Sequence, residues 1–164
     1  MTLHLTQNEI DHISGGYDMD AARSSTIHSD CYVDPRFLGI EREQVFHKTW
    51  QFLCHEEKLR ETGSYIASDI QGRGIFAVRG ADGKLRAFYN VCQHRGSRLT
   101  FSRGGAAETF TCPYHGWTYA TDGKLVDAQD AEDFPQNPCG NVTLVELRCE
   151  LFAGFIWVNM DPDC

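Results

Sequence analysis

A chain of 164 residues, 41% hydrophobic and 23% charged, has the size and balance of one globular domain with a real core. A formal net charge of −8 argues against nucleic-acid or anionic-membrane partners, which select basic patches. No apolar run approaches the roughly 20 residues of a membrane-spanning helix.

The opening Met1-Thr2-Leu3-His4-Leu5-Thr6-Gln7 lacks the charged-then-apolar pattern of a secretory signal. Together with seven cysteines, an odd number, this predicts a reducing cytoplasm rather than a disulfide framework. Residues 1–34 read as an N-terminal arm, extended or partly disordered, polar and broken by Gly15-Gly16 and Ser24-Ser25-Thr26. A short helix near Gln7 to Ile13 is the one element expected there. His4, His12 and His28 are expected to be solvated bystanders.

Asp34-Pro35 marks a helix start, with Asp at the N-cap and Pro at the first helical position. The helix should run to about Lys48, with Phe37, Leu38, Val45 and Phe46 on one apolar face. Trp50 to Leu53 suits a first strand. Nothing fixes His47 and His55 to one face with Glu43 or Glu56, so no metal is expected there.

From Gly63 onward the pattern is β. Tyr65, Ile66 and Ile70, then Gln71-Gly72-Arg73-Gly74, then Ile75, Phe76 and Val78 read as a hairpin. Gly72-x-Gly74-x-x-Ala77 matches a dinucleotide fingerprint on paper, but a strand rather than a helix follows. Ala81-Asp82-Gly83-Lys84 is a second hairpin turn. Leu85 to Val91 should be a strand, as should Thr109 to Thr111 and Trp117 to Ala120, with a turn at Thr121 to Lys124. Asp127 to Asn141 is polar loop. Val142 to Leu147 and Leu151 to Val158 should close the fold as two strands.

The chemistry lies between these strands. Cys92-Gln93-His94-Arg95-Gly96 and Cys112-Pro113-Tyr114-His115-Gly116-Trp117 each offer one thiolate and one imidazole, with 17 residues between His94 and Cys112. A [2Fe–2S] cluster with two Cys on one iron and two His on the other needs this set. Zinc also takes two Cys and two His, but usually from unmixed C-x2-4-C and H-x3-5-H pairs. Coincidental core cysteines and surface histidines are the bland alternative.

C-x-H-R-G followed by C-P-Y-H-G-W-x-Y resembles the Rieske domain in the large (α) subunit of aromatic ring-hydroxylating oxygenases. Phe46-His47-Lys48-Thr49-Trp50, Asp122-Gly123-Lys124-Leu125 and Gly154-Phe155-Ile156-Trp157-Val158-Asn159 extend the resemblance, giving a domain over residues 35–162. It implies a mainly β, antiparallel β-sandwich with two cluster-binding hairpin loops, preceded by an N-terminal helix. Cys92, His94, Cys112 and His115 would bind the cluster. Arg95, Gly96, Tyr114, Gly116 and Trp117 would surround it, the glycines letting the loop backbones approach.

Further expectations follow from the resemblance. High-potential respiratory relatives carry an extra Cys in each loop, where this chain has Ser97 or a neighbour and Tyr114, and a Ser where Trp117 stands. Fewer hydrogen bonds to sulfur place this centre near the bottom of the Rieske range, roughly −150 to +300 mV. In the family, oxygen is activated at a mononuclear Fe(II) held by two His and a carboxylate in a C-terminal catalytic domain. No His follows His115, so that domain is expected to be missing and the chain to be a fragment. Electrons would come from a ferredoxin or flavin reductase and pass to the catalytic domain of the same or a neighbouring α subunit, in a trimer-based oligomer. A free-standing Rieske ferredoxin is the alternative.

Overall fold

The computed structural model describes residues 5–163, so His4 and Cys164 lie outside it. The chain divides into two compact units, residues 1–47 and 48–164.

The first unit is helical. Thr6 caps α1 (Gln7–Ser14): its hydroxyl accepts the Glu9 N–H at 3.3 Å, and the Glu9 carboxylate accepts the Thr6 N–H at 2.9 Å. This reciprocal pair satisfies two donors that a helix start leaves open. The following segment, expected to be extended or partly disordered, folds back on itself. The Gly16 carbonyl accepts the Ser25 N–H at 2.7 Å, and the Asp20 carbonyl accepts those of Arg23 and Ser24, so residues 16–25 close into a loop. The chain then forms one turn, α2 (Asp30–Val33).

Asp34 caps α3 (Pro35–Glu41) as expected, its carboxylate accepting the Arg36 N–H at 2.9 Å. The helix then widens into a π turn, Arg42–Phe46, two residues short of Lys48. The wider turn breaks the 3.6-residue repeat on which the expected apolar face rested. Leu38 and Val45 are exposed, whereas Phe37 and Phe46 are half-buried. No residue of α1, α2 or α3 is buried. His12 and His28, expected to be solvated bystanders, meet around Asp30. None of the described helices is long and apolar enough to cross a membrane.

The second unit is built from antiparallel strands, mainly β as anticipated. Among the described residues, ten strands form a seven-stranded sheet, in the order β1 (Gln51–His55), β10 (Phe155–Asn159), β9 (Glu146–Phe152), β4 (Leu85–Tyr89), β3 (Arg73–Arg79), β2 (Ser64–Ile70) and β5 (Gly104–Ala106), and a three-stranded sheet of β6 (Thr109–Thr111), β7 (Thr118–Ala120) and β8 (Leu125–Asp127). β1 (Gln51–His55) starts one residue later than expected. β2 (Ser64–Ile70) and β3 (Arg73–Arg79) join through Gln71-Gly72, whose φ values of 51° and 86° fit the twist of a two-residue hairpin. β4 (Leu85–Tyr89) follows the Asp82-Gly83 turn.

β3 is buried on both faces. Phe76 and Val78 join Phe88, Phe110, Tyr119 and Leu125 in one core. Ile75 and Ala77 point the other way, to Leu59, Ala87, Leu147, Ile156 and Val158. Two-residue alternation thus feeds two cores from one strand. Each fully buried large side chain contributes on the order of 1.5–3 kcal/mol.

The closing hairpin differs from expectation. β9 (Glu146–Phe152) runs through Arg148 and Glu150 and turns at Ala153-Gly154 into β10 (Phe155–Asn159). Glu146, Arg148 and Glu150 are the exposed alternates of one strand, not a break between two.

Candidate metal centre

β4 leads into the first loop, Cys92 to Ser97; the second, Cys112 to Trp117, lies between β6 (Thr109–Thr111) and β7 (Thr118–Ala120). The two close alike. The Cys92 N–H reaches the Ser97 carbonyl at 2.8 Å, and the Gly96 N–H returns to the Cys92 carbonyl at 3.0 Å. Cys112 and Trp117, then Gly116 and Cys112, repeat both distances. Each glycine stands four residues after its cysteine, at φ 71° and 72°, a left-handed conformation that favours glycine.

The flanking strands differ. β6 and β7 pair, so the second loop tips a hairpin. β4 pairs with β3 and β9, while β5 (Gly104–Ala106) pairs with β2, so no strand pairing closes the first loop. Asn90 closes it instead. Its carboxamide oxygen accepts the N–H groups of Leu99 and Thr100, both at 3.0 Å, and its Nδ2 donates to the Thr100 carbonyl at 2.8 Å. Sequence reasoning passed over this residue; an Asn at the end of an apolar strand was the available signal.

Cys92 and Cys112 are both 2% exposed. Tyr119, fully buried, closes the second motif in the sequence but was given no role at the cluster. Its oxygen accepts the Gln93 N–H at 3.1 Å and lies 3.3 Å from Cys92 Sγ, leaving its proton to point at sulfur. Burial, and then the Cys92 sulfur, push the Tyr119 hydroxyl pKa upward, so it stays a donor. Burial likewise pushes the Cys92 thiol up, against the Tyr119 hydroxyl and the His94 N–H. At Cys112 burial also opposes ionisation, but the N–H groups of Tyr114 and His115, helped by Cys92 and Ser97, bring the thiol below its ordinary range. The sulfurs therefore have more hydrogen-bond donors than the sequence implied.

His94 and His115 bring their ring centres within 4.6 Å. Trp117, 6% exposed, stacks on His94 at 4.8 Å and 11° and meets Phe134 edge-on. Tyr114 is exposed and packs on His115 at 3.7 Å; Arg95 is also exposed. Burial, then the charges of His115 and Arg95, lower the His94 pKa and keep its lone pair free. His94 Nδ1 is buried without a hydrogen-bond partner. An orphaned imidazole nitrogen beside a second imidazole, over two buried thiols, is a donor set that fits a mixed Cys–His iron–sulfur cluster. Both imidazoles and Trp117 line an open cavity of about 420 Å³ with Asp130, Asp133 and Phe134.

Comparison with known proteins agrees with this chemistry. The family profile of the Rieske [2Fe-2S] domain matches residues 49–144, which hold both loops. The carnitine monooxygenase oxygenase subunit of Escherichia coli K12 is 41% identical over 138 residues, covering 84% of this chain and 37% of the relative. The toluate 1,2-dioxygenase α subunit of Pseudomonas putida is 34% identical, covering 99% of this chain and 37% of the relative. Among solved structures, the quaternary ammonium Rieske monooxygenase CntA with γ-butyrobetaine superposes with TM-score 0.81 at 37% identity, over 86% of this chain and 40% of that one. Naphthalene 1,2-dioxygenase from Rhodococcus sp. gives 0.87 at 29% identity, over 97% and 37%. The chain thus spans well under half the length of these relatives. With the profile covering both cysteine–histidine loops, the zinc and coincidence readings fall away, and the chain belongs to the Rieske [2Fe-2S] domain family.

Proposed function

We propose that Cys92 and Cys112 bind the inner iron as thiolates, that His94 and His115 bind the outer iron, and that this domain relays electrons within an oxygenase α subunit. The observation that carries this is the burial gradient across the site. The thiols are 2% exposed, while the imidazoles lie half-buried at the rim of an open cavity. Similarity to oxygenase subunits supports this role over a free-standing Rieske ferredoxin.

When bound, the cluster supplies a one-electron store. The chain's own residues do the rest. The two loops hold the thiolates away from water, and Tyr119 directs its hydroxyl proton at the Cys92 sulfur. Trp117 fixes the plane of His94, and the imidazole edges give an electron its shortest exit.

The donor would be a ferredoxin or flavin reductase. The acceptor would be a mononuclear iron in the catalytic domain of the same or a neighbouring subunit of a trimer-based oligomer. We place the protein in the cytoplasm, a reading supported by Cys31, Cys54, Cys139 and Cys149, the described cysteines outside the proposed cluster, which are free thiols. A redox titration of the cluster-loaded chain tests the relay. A one-electron couple in the lower half of the range of about −150 to +300 mV is expected. A couple at the top would fit a quinol oxidant and contradict a reductant of oxygen chemistry.

A further inference from the structure

The N-terminal unit gathers three metal-ligating side chains far in sequence from the cluster loops. His12 sits in the last turn of α1, His28 precedes α2, and Asp30 opens it. Asp30 Oδ2 lies 3.4 Å from His12 Nε2 and 3.3 Å from His28 Nδ1. The two imidazole centres are 4.1 Å apart, and one donor atom from each residue falls within 4.8 Å of the others.

We propose that His12, His28 and Asp30 form a binding site for a first-row divalent cation of the zinc type. The ligand spacing carries the first argument. Tetrahedral bonds of about 2.0–2.2 Å set neighbouring ligand atoms about 3.3–3.6 Å apart. Both contacts to Asp30 fall within that window.

Ligand chemistry carries the second. The His28 Nδ1 lone pair accepts the Asp30 N–H at 3.3 Å, a long contact that a bound cation would displace to take the same lone pair. Two imidazoles and one carboxylate are a donor set that zinc takes readily, with the fourth position left to water.

The third argument is the unit's lack of a core. None of the three helices buries a residue. Segments that cannot bury enough apolar surface are commonly held by a metal or a cross-link. A cation here would tie the end of α1 to the start of α2 and close the intervening loop.

Calorimetric titration of the cluster-loaded chain with Zn²⁺ tests the site, because the cluster then occupies Cys92 and Cys112 and its colour reports that it is intact. One Zn²⁺ per chain is expected. Asp30→Asn and His28→Gln, each nearly isosteric, should each weaken binding at least tenfold. His55→Gln and Cys31→Ser should leave it unchanged. Slower amide exchange in residues 12–30 on adding Zn²⁺ should accompany binding in the parent chain alone. Absence of binding would overturn the site and leave an imidazole–carboxylate ion pair; so would binding that survives Asp30→Asn and His28→Gln.

Discussion

Tyr119 acts on the site through one hydroxyl. A hydrogen bond to sulfur favours the reduced, more negative cluster, so its loss should lower the potential. If about 1 kcal/mol of that bond is specific to the reduced state, Tyr119→Phe should shift the midpoint down by about 40 mV with the cluster retained. Voltammetry of the two proteins decides this, and an unchanged potential would remove Tyr119 from the tuning. Asn90 is the other single residue on which much rests. Asn90→Ala removes three buried hydrogen bonds and orphans two N–H groups, which should cost about 2–4 kcal/mol in urea unfolding. Asn90 did not stand out in the sequence, and Tyr119 did so only as the last residue of the second motif, without a role. An Asn or Tyr in a strand has many ordinary roles, and only the fold brings Tyr119 across to Cys92. The four proposed ligands were legible because unlike residue types recur at fixed spacing beside two glycines.

At the scale of elements, turns were more legible than strand ends. Asp82-Gly83 and Asp122-Gly123 turn where the sequence places them, because Gly83 and Gly123 occupy positive φ. Ala153-Gly154 turns equally tightly but lacks the Asn or Asp that marks such turns, so the closing hairpin was misplaced. Gly123 carries a further constraint. A Cβ there would lie 2.6 Å from Cε1 of Phe88, in the core beneath the cluster loops. With the strain of φ 86°, Gly123→Ala should destabilise by at least about 2 kcal/mol, visible as a lowered Tm.

The capping box of α1 makes a pH prediction. Hydrogen bonds from the Thr6 N–H and hydroxyl, and from Arg36, lower the Glu9 pKa from 4.5 to about 2. A lowered folded pKa means that this contribution is complete above the unfolded value and is lost as pH falls from there toward about 2. Because Glu9 is on the surface, the effect should be small and salt-sensitive. Amide exchange at Glu9 and Ile10 should quicken across that interval and not above it. The same quickening at neutral pH in Glu9→Gln would confirm the assignment.

For the whole molecule, the sequence foretold an antiparallel β domain with two cluster loops but not how the first loop closes. Strand order is a property of long-range pairing, and the local pattern of β4 and β5 does not reveal that they never pair. The helical arm was the least legible part. Its order rests on caps, loop closures and polar contacts rather than on an apolar stripe, and periodicity finds only the stripe.

The central claim is that Cys92, His94, Cys112 and His115 hold a [2Fe–2S] cluster. Electron paramagnetic resonance of the dithionite-reduced chain, with iron and acid-labile sulfide measured on the same sample, tests it most directly. The account predicts about two irons and two sulfides per chain and a rhombic spin-half signal whose mean g lies below the free-electron value, lost in Cys112→Ser. A silent, colourless sample that carries zinc and no sulfide at these loops would contradict it.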